Sequence, residues 1–489
     1  MPSNETQSPP DRHQFPLIPS STALADLRTI RFAASSSKDA SMTRLLSSRF
    51  CFCLTAAAIA VASFSLPLTA AASDQIPGAR QKRPVALTNA VIHPITGPVI
   101  DRGTLVFTDG RISELGPNVQ PPNGAEVIDL QGKHVYPGLI EAHSQLGLTE
   151  ISSTRATVDH TESGLFNPSV AAHVAVNPDS ELIPVTRANG VLAALTAPSG
   201  GLISGQAAVL QLDGWTWEQM TLKPRAALVI DWPRISPSPR RSFARSDAPE
   251  SAPAENPVKQ LRDLFTQARA YGKARAANPD AQRFDARLQA IHTVLENHIP
   301  LLVHADRLDQ INSAVAFAVE QQTPIIIFGG YDAPECAALL KQYNVPVIVS
   351  AIHREPLRNH DDYDASFTLP ERLRQAGVRF CISGSARSET WNARNLPWHA
   401  ATAAAYGLPR DEALKSITLY PAQILGVAER LGSLEPGRDA TLFVSTGDPL
   451  ETDPQVTNAW IQGRRVDLSS RHSQLYQKYQ EKYRQLTQP

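Results

Sequence analysis

The chain has 489 residues, with 46 Lys and Arg against 47 Asp and Glu, 42% hydrophobic residues and four cysteines. That length holds two or three domains, or one large barrel with an accessory domain, and buries a full core without a disulfide or metal staple. A net charge of −1 excludes a protein built mainly to bind nucleic acid, and the apolar fraction excludes a wholly disordered chain.

Residues 1–41 are rich in Ser and Pro, lack periodicity and precede Met42, where translation is expected to start. Arg44 and Arg49, an apolar run over 50–68 and Ala70-x-Ala72 compose a secretory signal peptide over 42–72, with cleavage near Ala72. Pro67 and several Ser and Thr leave the run short for a ~20-residue membrane span, so the mature chain is read as exported, periplasmic or extracellular, without a stable membrane anchor. Cys51 and Cys53 leave with the signal. Cys336 and Cys381 remain, and the sequence leaves their pairing open.

After the signal, short apolar runs at 85–92, 104–107 and 111–115 flank Asp109-Gly110, a strong hairpin signal because Gly tolerates positive φ. Similar strands return at 440–444 and 456–461. Residues 84–134 plus 430–467 are therefore expected to form one composite β-sandwich domain. Between them, over 135–429, apolar runs at 135–143, 191–196, 227–231, 301–304, 324–328, 345–350 and 378–383 alternate with helical stretches. Repeated βα units over ~300 residues predict a TIM-like (β/α)8 barrel of the α/β class. The Pro- and Arg-rich stretch 233–257 reads as a solvated loop over the barrel mouth. A C-terminal helix over 468–489 carries Leu475, Tyr479, Tyr483 and Leu486 on one face, which predicts docking on the body.

Three motifs carry a resemblance: Phe107-Thr-Asp-Gly-Arg-Ile-Ser-Glu-Leu-Gly116, the run Ile128-Asp-Leu-Gln-Gly-Lys-His-Val-Tyr-Pro-Gly-Leu-Ile-Glu-Ala-His143, and Gly432-Ser-Leu-Glu-Pro-Gly-Arg-Asp-Ala-Thr-Leu442. In this order they resemble the amidohydrolase superfamily, and most closely its imidazolonepropionase-like branch. The resemblance implies a barrel with a β-sandwich made from both termini, and hydrolysis of a C–N bond by a metal-activated water. It also implies metal ligands at the ends of barrel strands: His-x-His on the first, Lys or Glu on the fourth, His on the fifth and sixth, Asp on the eighth.

Here the first strand offers His143-Ser-Gln145, the fifth keeps His304, the sixth ends in Gly329-Gly330, and the eighth ends in Ser383-Gly384-Ser385. A neutral amide is a poor partner for zinc beside an imidazole. A mononuclear divalent-metal site, such as zinc, is expected from His143, His304 and a replacement such as His353, with Asp306 or Asp231 as the base. Gly200 and Gly201, in a glycine-rich loop over 197–206, could bind an anionic group or simply form a tight turn. Arg155 and His399 are further candidates for substrate contact. Two functions stay open: an exported hydrolase of a dipeptide-like or non-peptide C–N bond in a small molecule, or an inactive barrel acting as a binding or partner module. Self-association into a homo-oligomer is compatible with either.

Overall fold

Strand-forming sequence is concentrated at the two ends of the body, and the two ends share one sheet. The computed structural model describes residues 75–234, 256–279, 283–386 and 390–487, all within the unit Ala71–Pro489. The signal region, the start segment and most of the 233–257 loop lie outside the described residues. Strands β1 (Val85–Ile92), β2 (Ile100–Thr108), β3 (Arg111–Gly116), β4 (Glu126–Asp129) and β5 (His134–Pro137) come first. Asp109 and Gly110, at φ 51° and 79°, make the tight turn between β2 and β3.

The barrel follows: β6 (Leu139–Ser144), β7 (Val191–Thr196), β8 (Ile203–Gln211), β9 (Thr221–Asp231), β10 (Leu301–Ala305), β11 (Ile325–Gly329), β12 (Val347–Val349) and β13 (Phe380–Ile382), adjacent in that order. The helices are α1 (Leu182–Arg187), α2 (Trp217–Met220), α3 (Pro257–Ala277), α4 (Ala286–Glu296), α5 (Leu308–Glu320), α6 (Ala337–Gln342), α7 (Ala365–Gln375), α8 (Leu396–Ala405), α9 (Arg410–Lys415) and α10 (Leu419–Ile424). Helix α3 starts where the Asn256 side chain accepts from the Val258 amide and Pro257 takes the first turn. Its Phe265 packs edge-on against Phe317 of α5 over the outer faces of the strands. On β10, Leu301, Val303 and Ala305 join that outer layer, while Leu302 faces the barrel interior with Ile326, Ile348 and Cys381. By alternation His304 and Asp306 also face inward.

Two features depart from an ideal barrel. Strand β8, whose first four residues fall in the stretch read as a glycine-rich loop, runs antiparallel to both β7 and β9. Antiparallel neighbours need only a short connection, whereas parallel ones need a crossover of a dozen or more residues; the 197–202 and 212–220 links allow only the former. The second departure is the seam between β13 and β6, where a short segment wedges in: the Ile140 amide donates to Ile417 O at 2.9 Å, and the Ile382 amide to Ser416 O at 3.0 Å.

Strands β14 (Leu442–Ser445), β15 (Val456–Ile461) and β16 (Arg464–Arg465) return to the first sheet, β14 pairing antiparallel with β5. That sheet curls until the Ile112 amide meets Arg438 O at 2.9 Å. It encloses its own core, in which Leu87, Phe107, Val135, Leu442 and Trp460 are buried. The fold class read from the sequence is therefore present, with one reversed strand. Helix α11 (Arg471–Thr487) corrects an expectation: it buries none of its residues, so its apolar face is not docked on the body. Amphipathic spacing fixes which residues share a face, but not what covers that face. Cys336 and Cys381 are both buried and free. No described helix is long and apolar enough to cross a membrane.

Candidate active site

The inward-facing ends of β6, β9 and β10 bring together His143, Asp231 and His304. Asp231 Oδ1 lies 3.0 Å from His304 Nδ1, and His304 Nε2 lies 3.1 Å from His143 Nε2. The three side chains form one chain of polar contacts at the barrel mouth. Both imidazoles are almost wholly buried, while the Asp231 side chain keeps 29% of its surface. Phe328 at the end of β11, where the resemblance implies a histidine, stacks on His143 with ring centroids 3.8 Å apart.

Beneath this chain lies Glu141, a fully buried acid that the sequence reading passed over. Its carboxyl accepts from the His143 amide at 3.1 Å, from the Gly384 amide at 2.9 Å and from the Ser383 hydroxyl. Ser383 stands where the resemblance implies a ligating Asp, and its hydroxyl instead ties the eighth strand to the first. Burial pushes Glu141 up to about 8, against the opposing pull of these donors. An acid inside the apolar run Gly-Leu-Ile-Glu-Ala-His was the available signal, since a buried carboxyl must find donors.

Gln145 is buried and donates through Nε2 to Ser199 Oγ at 3.2 Å, and that hydroxyl lies 2.7 Å from His160 Nδ1. This small network pins the loop after β6 to the turn between β7 and β8. Gly200 and Gly201 lie in that turn with positive φ and are covered: a Cβ would stand 2.5 Å from Thr161 Cγ2 at the first and 2.7 Å from Gly164 O at the second. Arg155 is exposed in the covering loop, where its guanidinium donates to Val158 O at 2.8 Å. Asp306 pairs with Arg354, Nη1 to Oδ1 at 3.2 Å. Arg354 also stands over the Tyr331 ring, 5.2 Å from its centroid, and its Nε and Nη2 are buried without a hydrogen-bond partner among the described residues. His353 does not join His143 and His304. Its Nε2 lies 2.8 Å from Thr402 Oγ1, and its ring stacks on His399 at 4.1 Å. Burial lowers His399 to about 3 and lowers His353 as well, which favours neutral rings in both.

The residues present do not complete a metal centre of the implied kind. Two zinc ligands at ~2.0–2.1 Å in a tetrahedral shell stand about 3.3 Å apart, so the facing Nε2 atoms, 3.1 Å apart, have nearly the right spacing. A catalytic zinc takes three protein ligands and a water. Among the described residues, no group of three or more His, Cys, Asp or Glu is placed to hold an ion. Asp231 takes the far nitrogen of His304, Ser383 is tied to Glu141, and the sixth-strand position is Phe328.

Residues 280–466 match the family model described as the amidohydrolase family. Among curated proteins, the chain is 21% identical over 392 residues to amidohydrolase tasK of Hapsidospora irregularis, a match spanning 75% of this chain but 39% of that protein. It is 24% identical over 373 residues to the imidazolonepropionase of Mesorhizobium japonicum, spanning 71% of this chain and 87% of that one. Among solved structures it resembles an amidohydrolase from Thermotoga maritima MSB8, with TM-score 0.69 and 26% identity, covering 78% of this chain and 99% of the other. Motifs, barrel, shared terminal sheet and these likenesses agree, and together they support the amidohydrolase superfamily.

Proposed function

We propose that the protein is an exported hydrolase that cleaves a C–N bond of a small molecule at the barrel mouth. The observation that carries this reading is the Asp231–His304–His143 chain of contacts. In it, Asp231 accepts from His304 Nδ1–H, which leaves the other nitrogen of His304 facing His143. A proton taken from an attacking water by the imidazole pair is stabilised by the carboxylate at the far end. The hydroxide adds to the carbonyl carbon, the C–N bond breaks, and the pair returns its proton to the leaving nitrogen. No step is assigned to a metal, because the donor set falls short of one. Export is compatible with the contacts of the first described residues. Gln75 is tied to Arg187 and Ser469, and the Gly78 amide donates to Asp213 at 3.2 Å, so cleavage near Ala72 leaves these contacts intact.

A second reading, an inactive binding module, is favoured by the incomplete ligand set and by Asp306 being engaged with Arg354. Purified protein assayed against N-acyl amino acids, dipeptides and cyclic amides, with chelator and with added zinc or manganese, separates the two. Turnover that survives chelation and is lost in His304→Ala supports the proposed chemistry. Absence of turnover under every condition, with one of these compounds still raising Tm, overturns it in favour of binding.

A further inference from the structure

We infer that α11 docks on a second copy of this chain, against the face formed by the loops after β11 and β12. At 3.6 residues per turn, Leu475, Tyr476, Tyr479, Tyr483 and Leu486 fall within an arc of about 100°, and they are 39–70% exposed. His472 on the same arc is anchored to Arg394 of the body at 2.6 Å, which holds the root of the helix in place. Arg471, Lys478 and Lys482 line one border of the arc within about 40°. The helix's one acid, Glu481, is already paired with Arg484 at 2.8 Å. The helix thus presents an apolar stripe with a basic edge that forms no ion pair among the described residues.

The matching surface is acidic with apolar islands. The loops after β11 and β12 line an open pocket of about 570 Å3. Its two arginines are engaged, Arg358 with Asp332 and Asp361, and Arg372 with Glu335. Asp362 and Asp364, also in its wall, form no ion pair among the described residues. Around them Leu308, Leu357 and Tyr363 are 44%, 41% and 76% exposed. Basic edge meets free acids, and Leu and Tyr meet Leu and Tyr.

Helix against helix fits less well. Antiparallel self-pairing sets the basic border against itself, and a parallel pair of such short helices falls well below the ~800 Å2 per partner of a stable interface. Reciprocal docking of each helix on the other body supplies two contacts and closes a two-fold dimer.

Sedimentation velocity of the full protein at micromolar concentration tests this. A dimer is expected at about 0.1 M salt and weakening at about 1 M, where the screening length falls from ~10 to ~3 Å. Lys478→Glu/Lys482→Glu and Asp362→Lys/Asp364→Lys should each raise the dimer Kd at least about tenfold, and the combined charge swap should restore it. Asp364 makes no side-chain cap bond to α7, so its replacement removes no cap hydrogen bond; circular dichroism checks that each variant is folded. A monomer at every concentration, a dimer insensitive to both reversals, or a combined variant no tighter than either alone overturns the proposal. Cosedimentation of a monomer with anionic phosphatidylglycerol vesicles would instead assign the stripe to a lipid surface and would equally overturn it.

Discussion

Glu141 concentrates in one side chain the difference between this barrel's site and the arrangement its motifs imply. Three donors from two strands converge on its buried carboxyl, so truncation to Ala strands all of them, at a cost of about 1–3 kcal/mol per orphaned group. Its pKa stands at about 8 rather than 4.5, so the folded protein holds a proton that the unfolded chain releases. This contribution is fully present below about pH 4.5 and is lost as pH rises through about 8. Glu141→Gln has no proton to lose. Denaturant unfolding should therefore show the wild type's advantage over Glu141→Gln narrowing between pH 5 and 9; a constant difference would disprove the buried-acid assignment. Asp231→Asn should leave stability nearly unchanged while lowering kcat by about 10–100-fold, as loss of an orienting partner does, with KM little moved. His143, Gln145 and His304 were legible because each sits at a motif position on one strand. The roles of Glu141 and Ser383 were not, because their contact joins positions 242 residues apart.

At the level of elements, alternation and turn chemistry identified seven barrel strands but not β8. Gly205 in it and Gly200 and Gly201 in the turn before it read as loop because their need for space is imposed from outside: the segment 164–170 lies directly on the turn and strand, and Gly201 carries φ 71° with Gly164 O 2.7 Å from where a Cβ would stand. Gly201→Ala is expected to destabilise by about 1–3 kcal/mol from strain and clash together, measured as a lowered denaturation midpoint. The same substitution at Gly124, also at positive φ but with nothing within 4 Å of its Cβ, should show the smaller loss. The reversed β8 also removes a crossover helix, so the outer wall in this sector includes loop and a short 3-10 turn, with Ala172 and Val176 in the buried layer. Helix α11 marks the opposite limit: its face was read correctly and its covering was not, since period alone carries no information about a partner.

Across the whole molecule, Arg187 links the parts. Its guanidinium, with 5% of the side chain exposed, pairs with Asp213 at 3.0 Å and donates to Leu212 O at 2.8 Å and Asp467 O at 3.1 Å. It thereby joins α1, the end of β8 and the chain entering α11. Arg187→Met leaves Asp213 buried with Arg464 at 3.5 Å as its remaining ion-pair partner and the Gly78 amide at 3.2 Å, and the loss should be about 3–5 kcal/mol, seen as a clear fall in Tm.

The sheet shared by the termini sets an order of events in time. Strands β7, β8 and β9 are neighbours in sequence as well as in space, so they can associate soon after synthesis with little loop-closure entropy to overcome. By contrast, β5 waits for β14 from the far end of the chain, and the core around Phe107 lacks Leu442 and Trp460 until then. The first-made sheet is therefore the last to be sealed, and a chain interrupted before Leu442 would leave the β5 edge without its β14 partner, open to proteases and to other chains.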